Sequence, residues 1–80
     1  MAYRIIFDPY ADAVRKTLPL AAKVALRALL AALARDPTVV GRSVGGNPFH
    51  RSASFGKHGL VFYFDDMRQT ITIKEIIWAK

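Results

Sequence analysis

His50, Tyr63, Lys74, Trp78 and Lys80 are the residues of this 80-residue sequence whose types suggest chemistry, and their spacing lets them meet. All but Lys80, two residues past the last, fall in three extended stretches, residues 49–55, 60–64 and 70–78, where side chains alternate between the two faces of a strand. With Phe49, Ala53 and Phe55 turned toward a core, His50, Ser52 and Ser54 turn away. With Leu60, Phe62 and Phe64 inward, Gly59, Val61 and Tyr63 look outward. With Ile71, Ile73 and Ile77 inward, Thr72, Lys74, Ile76, Trp78 and Lys80 look outward. The outward set joins an imidazole, two ammonium groups and two amphipathic aromatics, a surface suited to phosphate contact and base stacking. His50 is the proton-transfer candidate because its reference pKa lies nearest neutrality, although an ordinary exposed strand histidine fits the same position. Lys74 and Lys80 would offset phosphate charge while Tyr63 or Trp78 stacks. Arg51 and Glu75 break the alternation by falling on the buried side. They mark a sheet rim, a mutual pair, or a bulge that shifts the register.

Composition narrows the alternatives. The chain has no cysteine, which removes disulfides and thiolate metal sites. His50 and His58, with a turn between them, are too few for a zinc enzyme, so neither metal nor cofactor is expected. Twelve basic residues against six acidic ones give a net charge of +6, divided evenly between residues 1–40 and 41–80. An even spread implies a folded surface of positive potential, with nucleic acid, anionic lipid or an acidic protein as partner. The longest apolar run, residues 18–33, is interrupted by Lys23 and Arg27, so no membrane span is expected. A membrane-surface helix is disfavoured as well, since that segment lacks bulky aromatics. The start of the chain has no signal-peptide pattern, and the cytoplasm is the expected address. A hydrophobic content of 52% is enough for folding, and the length allows one domain spanning residues 1–80.

The elements that would position these residues follow from punctuation in the sequence. Residues 3–7 alternate as a strand, and Asp8-Pro9 stops it and caps a helix over residues 9–17. Leu18-Pro19 breaks that helix, and a second runs to about Arg35, ended by Asp36-Pro37. Leu20, Val24, Leu26, Leu29, Leu30 and Leu33 make its apolar stripe, with Lys23 and Arg27 on the opposite side. Residues 38–48, rich in glycine and proline, read as a connection. Three strands follow: 49–55, a turn at 56–59, 60–64, a turn at 65–69, and 70–78.

This order, with Tyr-Arg-Ile-Ile-Phe at the start, Asp-Pro after the second helix, Gly45-Gly46, and Gly56 followed by three residues and then Leu-Val-Phe-Tyr-Phe-Asp-Asp, resembles the RelE/ParE toxin superfamily over the whole chain. The resemblance implies an α+β fold of order β-α-α-β-β-β, with a curved antiparallel sheet covered on one face by a helical hairpin. It implies the toxin of a type II toxin-antitoxin system, a ribosome-dependent messenger-RNA endonuclease that inhibits translation. The chemistry of such toxins is metal-free: the 2′-hydroxyl attacks the adjoining phosphate, cations stabilise the phosphorane, and an acid serves the leaving oxygen. On this view His50, Tyr63, Lys74 and Lys80 are catalytic, and Arg51, Ser52, Lys57, His58 and Trp78 contact RNA. The partners implied are messenger RNA on the ribosome and an acidic, partly disordered antitoxin that folds as it wraps the helices.

The sequence also departs from that pattern. The arginine that commonly opens the second hairpin strand falls on Gly59, two basic positions of the preceding strand fall on His50 and Ser52, and a basic residue near the last strand's end is matched by Lys80. Lysine lacks arginine's planar fork for phosphate. Either His50, Arg51, Lys57 and His58 take over the charge work, or the chain does not cut RNA. In the latter case it poisons DNA gyrase by protein contact, as ParE-type toxins do, or is a degenerate member that only binds its antitoxin.

Overall fold

A computed structural model of the chain describes residues 3–37, 40–66 and 68–78. The elements are β1 (Arg4–Phe7), α1 (Pro9–Thr17), α2 (Leu20–Arg35), β2 (Arg42–Val44), β3 (Asn47–Phe55), β4 (Gly59–Asp66) and β5 (Thr70–Trp78). The helices begin and end where the sequence places their signals. Asp8 accepts a hydrogen bond from the Tyr10 amide at 3.2 Å and Pro9 opens the first turn, while Leu18 takes an extended conformation ahead of Pro19.

The five strands form one sheet in the order β1-β5-β4-β3-β2. This corrects a four-stranded, wholly antiparallel expectation in two ways that share one cause. Gly45 and Gly46, read as part of a connection, both have positive φ, 61° and 76°, and form a two-residue hairpin turn between Val44 and Asn47. Positive φ at both central positions is what a type I′ turn demands and what glycine supplies without strain. The turn creates β2, and β2 adds one reversal of chain direction. If every connection reverses the chain, that extra step brings β5 back parallel to β1, as observed, with Ile5 opposite Ile71 and Phe7 opposite Ile73.

One face of the sheet carries both helices. α1 lies against β5 and β1, and α2 against β3 and β1. Ala11, Leu18, Ala22, Leu26, Leu29 and Leu33 from the helices meet Ala53, Phe55, Val61, Tyr63, Ile71, Ile73 and Ile76 from the sheet to form the buried core. Not all of the expected α2 stripe is covered, because Leu20 is 78% and Val24 57% exposed. Lys23 and Arg27 therefore project between buried and exposed apolar strips instead of opposing a single one. Among the described residues no helix is long and apolar enough to cross a membrane.

Two register details overturn the expected strand faces. The β3–β4 turn holds three residues, 56–58, so Phe55 pairs with Gly59 and not with Leu60. Phe55 faces the core, hence Gly59, Val61 and Tyr63 do too, and Leu60, Phe62 and Phe64 turn outward. A slip of one residue exchanges every side chain between faces. In β5 the register shifts opposite Phe62 and Tyr63: Ile73 pairs with Tyr63 and Glu75 with Phe62, leaving Lys74 as an extra residue. Lys74 and Glu75 are both exposed between buried Ile73 and Ile76. That bulge is the reason Glu75 broke the alternation. It also sends Ile76 and Trp78 to the core side and Ile77 to the open side.

Candidate nucleic-acid interface

The face of the sheet without helices is assembled in rows by strand pairing. Arg42 on β2 lies opposite Ser52 on β3, Ser52 opposite Phe62 on β4, and Phe62 opposite Glu75 on β5. The neighbouring row runs from His50 through Phe64 and Thr72 to Ile6 on β1. A third row brings Thr70 beside Arg4. Diagonal neighbours on adjacent strands stand about 7–8 Å apart, so Arg42 and His50 can reach one ligand group.

The His50 ring centroid is 6.3 Å from that of Phe62 and 6.5 Å from that of Phe64, tilted against both. The imidazole is thus half-buried beside two phenyl rings, one of them, Phe64, 42% exposed. Lys74 approaches the Asp8 carboxylate at 3.4 Å, which ties the bulge to the start of α1 and offsets part of its charge. Arg42 and Arg4 are exposed on the same face. The arrangement offers a stacking surface of Phe62 and Phe64, a titratable ring beside it, and cations on both flanks. Groups of these kinds are suited to a single-stranded, phosphate-bearing ligand.

The expected site residues separate into four groups. His50, Ser52 and Lys74 share this open face. Arg51, Tyr63 and Trp78 lie on the helical side, contrary to expectation for Tyr63 and Trp78. Tyr63 is fully buried and its hydroxyl donates to the Pro37 carbonyl at 3.2 Å. Burial pushes its pKa above the usual tyrosine value, against the lowering effect of a hydrogen bond from Arg51. Trp78 stacks on Phe55 with ring centroids 5.7 Å apart. Lys57 and His58 belong to the β3–β4 turn, with His58 set edge-on to Trp78 at 6.2 Å. Seven residues of extended chain put that turn about 20 Å from His50, too far to share a nucleotide with it. Lys80 lies outside the described residues.

Arg51 acts from beneath the face. It donates to the Gly41 carbonyl at 2.8 Å and to the Tyr63 hydroxyl. Gly41 has no room for a side chain, since an added Cβ would run into the Tyr63 hydroxyl and lie 2.7 Å from the Ser52 carbonyl oxygen. Tyr63, Arg51 and Gly41 therefore pin the segment that carries Arg42. Gly59, where the resemblance leads one to look for an arginine, faces the core with the Phe55 ring 2.5–2.6 Å from the position of any Cβ. A side chain there requires the Phe55 ring to move. Arg42, Arg4, Phe62 and Phe64 are the surface residues that sequence reasoning missed. Gly45-Gly46 between Val44 and Asn47 was the hairpin signal that reveals Arg42. Among the described residues no three histidine, aspartate or glutamate side chains gather as a metal-holding group.

No family model matches the sequence, and no curated protein matches it. Solved structures do match. A chain of the RelBE2 toxin-antitoxin complex from Mycobacterium tuberculosis superposes with a TM-score of 0.85 at 21% identity, covering 99% of this chain and 100% of that one. The isolated E. coli toxin RelE gives 0.85 at 17% identity, covering 99% of this chain and 86% of that one. An E. coli RelE mutant in complex with an antitoxin RelB peptide gives 0.84 at 17%, covering 100% and 86%. At these identities the likeness establishes the architecture: an α+β fold of the RelE type.

Proposed function

We propose, with a RelE-type fold as the premise, that the chain is the toxin of a toxin-antitoxin pair and that its open sheet face cleaves messenger RNA on the ribosome. The observation that carries this reading is the row structure of that face, where His50 stands between Arg42 and the Phe62–Phe64 pair. In the reaction the 2′-hydroxyl attacks its own 3′-phosphate, the 5′-oxygen leaves, and a 2′,3′-cyclic phosphate remains. His50 moves the proton at one of the two oxygens. Arg42, with Lys74 and Arg4 farther along the face, offsets charge on the phosphorane, and the two phenyl rings hold the flanking bases. No metal takes part. The partners in this reading are ribosome-bound message and an acidic antitoxin, and the compartment is the cytoplasm.

A gyrase-directed toxin of the same fold is favoured by one observation, glycine at position 59 in place of the arginine, turned to the core where a side chain would displace the Phe55 ring. Incubation of the purified chain with ribosomes carrying a defined message separates the two readings. Cuts mapped by primer extension are expected, with His50→Ala and Arg42→Ala each slowing them about a hundredfold or more. Gyrase inhibition with intact message would reject the nuclease.

A further inference from the structure

We infer that Glu75 gives the open face a base preference: its carboxylate reads the Watson–Crick edge of a guanine stacked on Phe62. The inference rests on the RNA reading above and adds which nucleotide the face selects. Glu75 is the register partner of Phe62 on β5 and Ser52 its partner on β3, so the phenyl ring lies between a carboxylate and a hydroxyl. The His50 ring leans on Phe62 from the β3 side, with centroids 6.3 Å apart. A base on the same ring is left the β5 side. Cross-strand partners have Cβ atoms about 5 Å apart, which puts the edge of such a base within reach of the Glu75 carboxylate.

The carboxylate is not neutralised within the protein. Lys74, its neighbour in the chain, turns to Asp8 at 3.4 Å, and among the described residues no lysine or arginine stands within ion-pairing distance of Glu75. β1 pairs with β5 only as far as Ile73, so among the described residues no strand lies beyond Glu75, and its side chain is exposed. On a face that otherwise carries Arg4, Arg42 and Lys74, such a group repels phosphate and accepts from a hydrogen-bond donor. Strands stand about 4.8 Å apart, so β5 lies about 10 Å across the sheet from the strand of His50, on the side of Phe62 away from the scissile phosphate. The donor is therefore a base. Guanine alone presents two donors side by side on its Watson–Crick edge, N1–H and N2–H, matching the two oxygens of a carboxylate. Adenine and cytosine set an acceptor nitrogen beside one amino group, and uracil sets N3–H between two carbonyls, so each brings a lone pair against the second oxygen.

The test is fluorescence anisotropy on the intact chain with short oligouridine strands in which a single position is guanosine, inosine or adenosine. The guanosine strand is expected to bind about tenfold more tightly than the adenosine strand, which offers an equal surface for stacking, with inosine, lacking the 2-amino group, between them. Glu75→Gln should bring guanosine within about twofold of adenosine while tightening the adenosine strand slightly, because a negative charge leaves a phosphate-binding face. Arg42→Ala should weaken every strand alike and keep the ratio. Equal binding of guanosine and adenosine by the wild type, or a Glu75→Gln variant that moves all strands together, would overturn the inference. On ribosome-bound message, cuts should gather at guanosines and lose that bias in Glu75→Gln. Guanosine preference in binding without any cut counts against the nuclease reading and leaves this one intact. Cuts indifferent both to guanosine and to Glu75 do the reverse, and failure to bind any strand overturns both.

Discussion

Tyr63 ties the core to the open face through a single hydroxyl. Its ring fills the centre of the core, while its oxygen donates to Pro37 and accepts from Arg51, beside the backbone that leads into Arg42. Tyr63→Phe preserves the packing and leaves the Pro37 carbonyl unpaired, so urea denaturation should show a loss of about 1–2 kcal/mol. The folded hydroxyl titrates above the ordinary 10.0, and burial is the main cause. Its contribution is therefore complete below pH 10 and is lost as the pH rises through the folded value. The stability difference between wild type and Tyr63→Phe should shrink above pH 10, and a difference that grew there would refute the burial argument. At this scale the sequence was partly legible. His50 and Ser52 were placed outward correctly because β3 alternates without interruption. Tyr63 was misplaced because the turn before it has three residues where four were counted, and nothing in Gly-Lys-His-Gly distinguishes the two lengths.

At the level of elements, helix boundaries were readable from Asp8-Pro9, Leu18-Pro19 and Asp36-Pro37, since proline and a side-chain cap act locally. The bulge in β5 was legible only as a misfit, the charged Glu75 in a position meant for the core. It gives a prediction by deletion. Removing Lys74 lets Ile73 and Glu75 remain opposite Tyr63 and Phe62 in a regular ladder, with Ile76 and Trp78 on their present face. The loss is one exposed ion pair to Asp8, and thermal or urea unfolding should change by about 1 kcal/mol or less. Removing Thr72 instead turns Ile73 outward and Lys74 into the core, which should destabilise by about 3 kcal/mol or more. Equal effects of the two deletions would show that the ladder is not held in this register. The parallel pairing of β1 with β5 had no local signature, because it depends on how many times the chain reverses between them.

For the molecule as a whole, a net charge of +6 says little until it is divided between surfaces. Arg4, Arg42 and Lys74 lie on the open face, and Arg15, Lys16, Lys23 and Arg27 on the helical side. Counterion release makes the two sets distinguishable. Each phosphate contact on a single strand contributes about −0.7 to the slope of log affinity against log salt. Arg42→Ala, which removes one charge, should make the RNA slope shallower by about 0.7. Lys23→Glu with Arg27→Glu, which takes the net charge from +6 to +2, should leave it unchanged. If total charge governed binding, the second variant would suffer more. The even distribution of charge along the sequence correctly suggested a folded cationic surface, but that there are two such surfaces became visible only when the sheet separated them.

The bulge at Lys74 has one more consequence, for the fate of the chain at high concentration. β1 pairs with β5 only as far as Ile73, so from Lys74 to Trp78 the outer side of β5 has no neighbouring strand among the described residues. A strand edge without a partner strand, flanked by Ile76, Ile77 and Trp78, invites strand-to-strand aggregation. Here the extra residue twists the edge at its first step, and an ammonium followed by a carboxylate stands where an incoming strand would begin to pair.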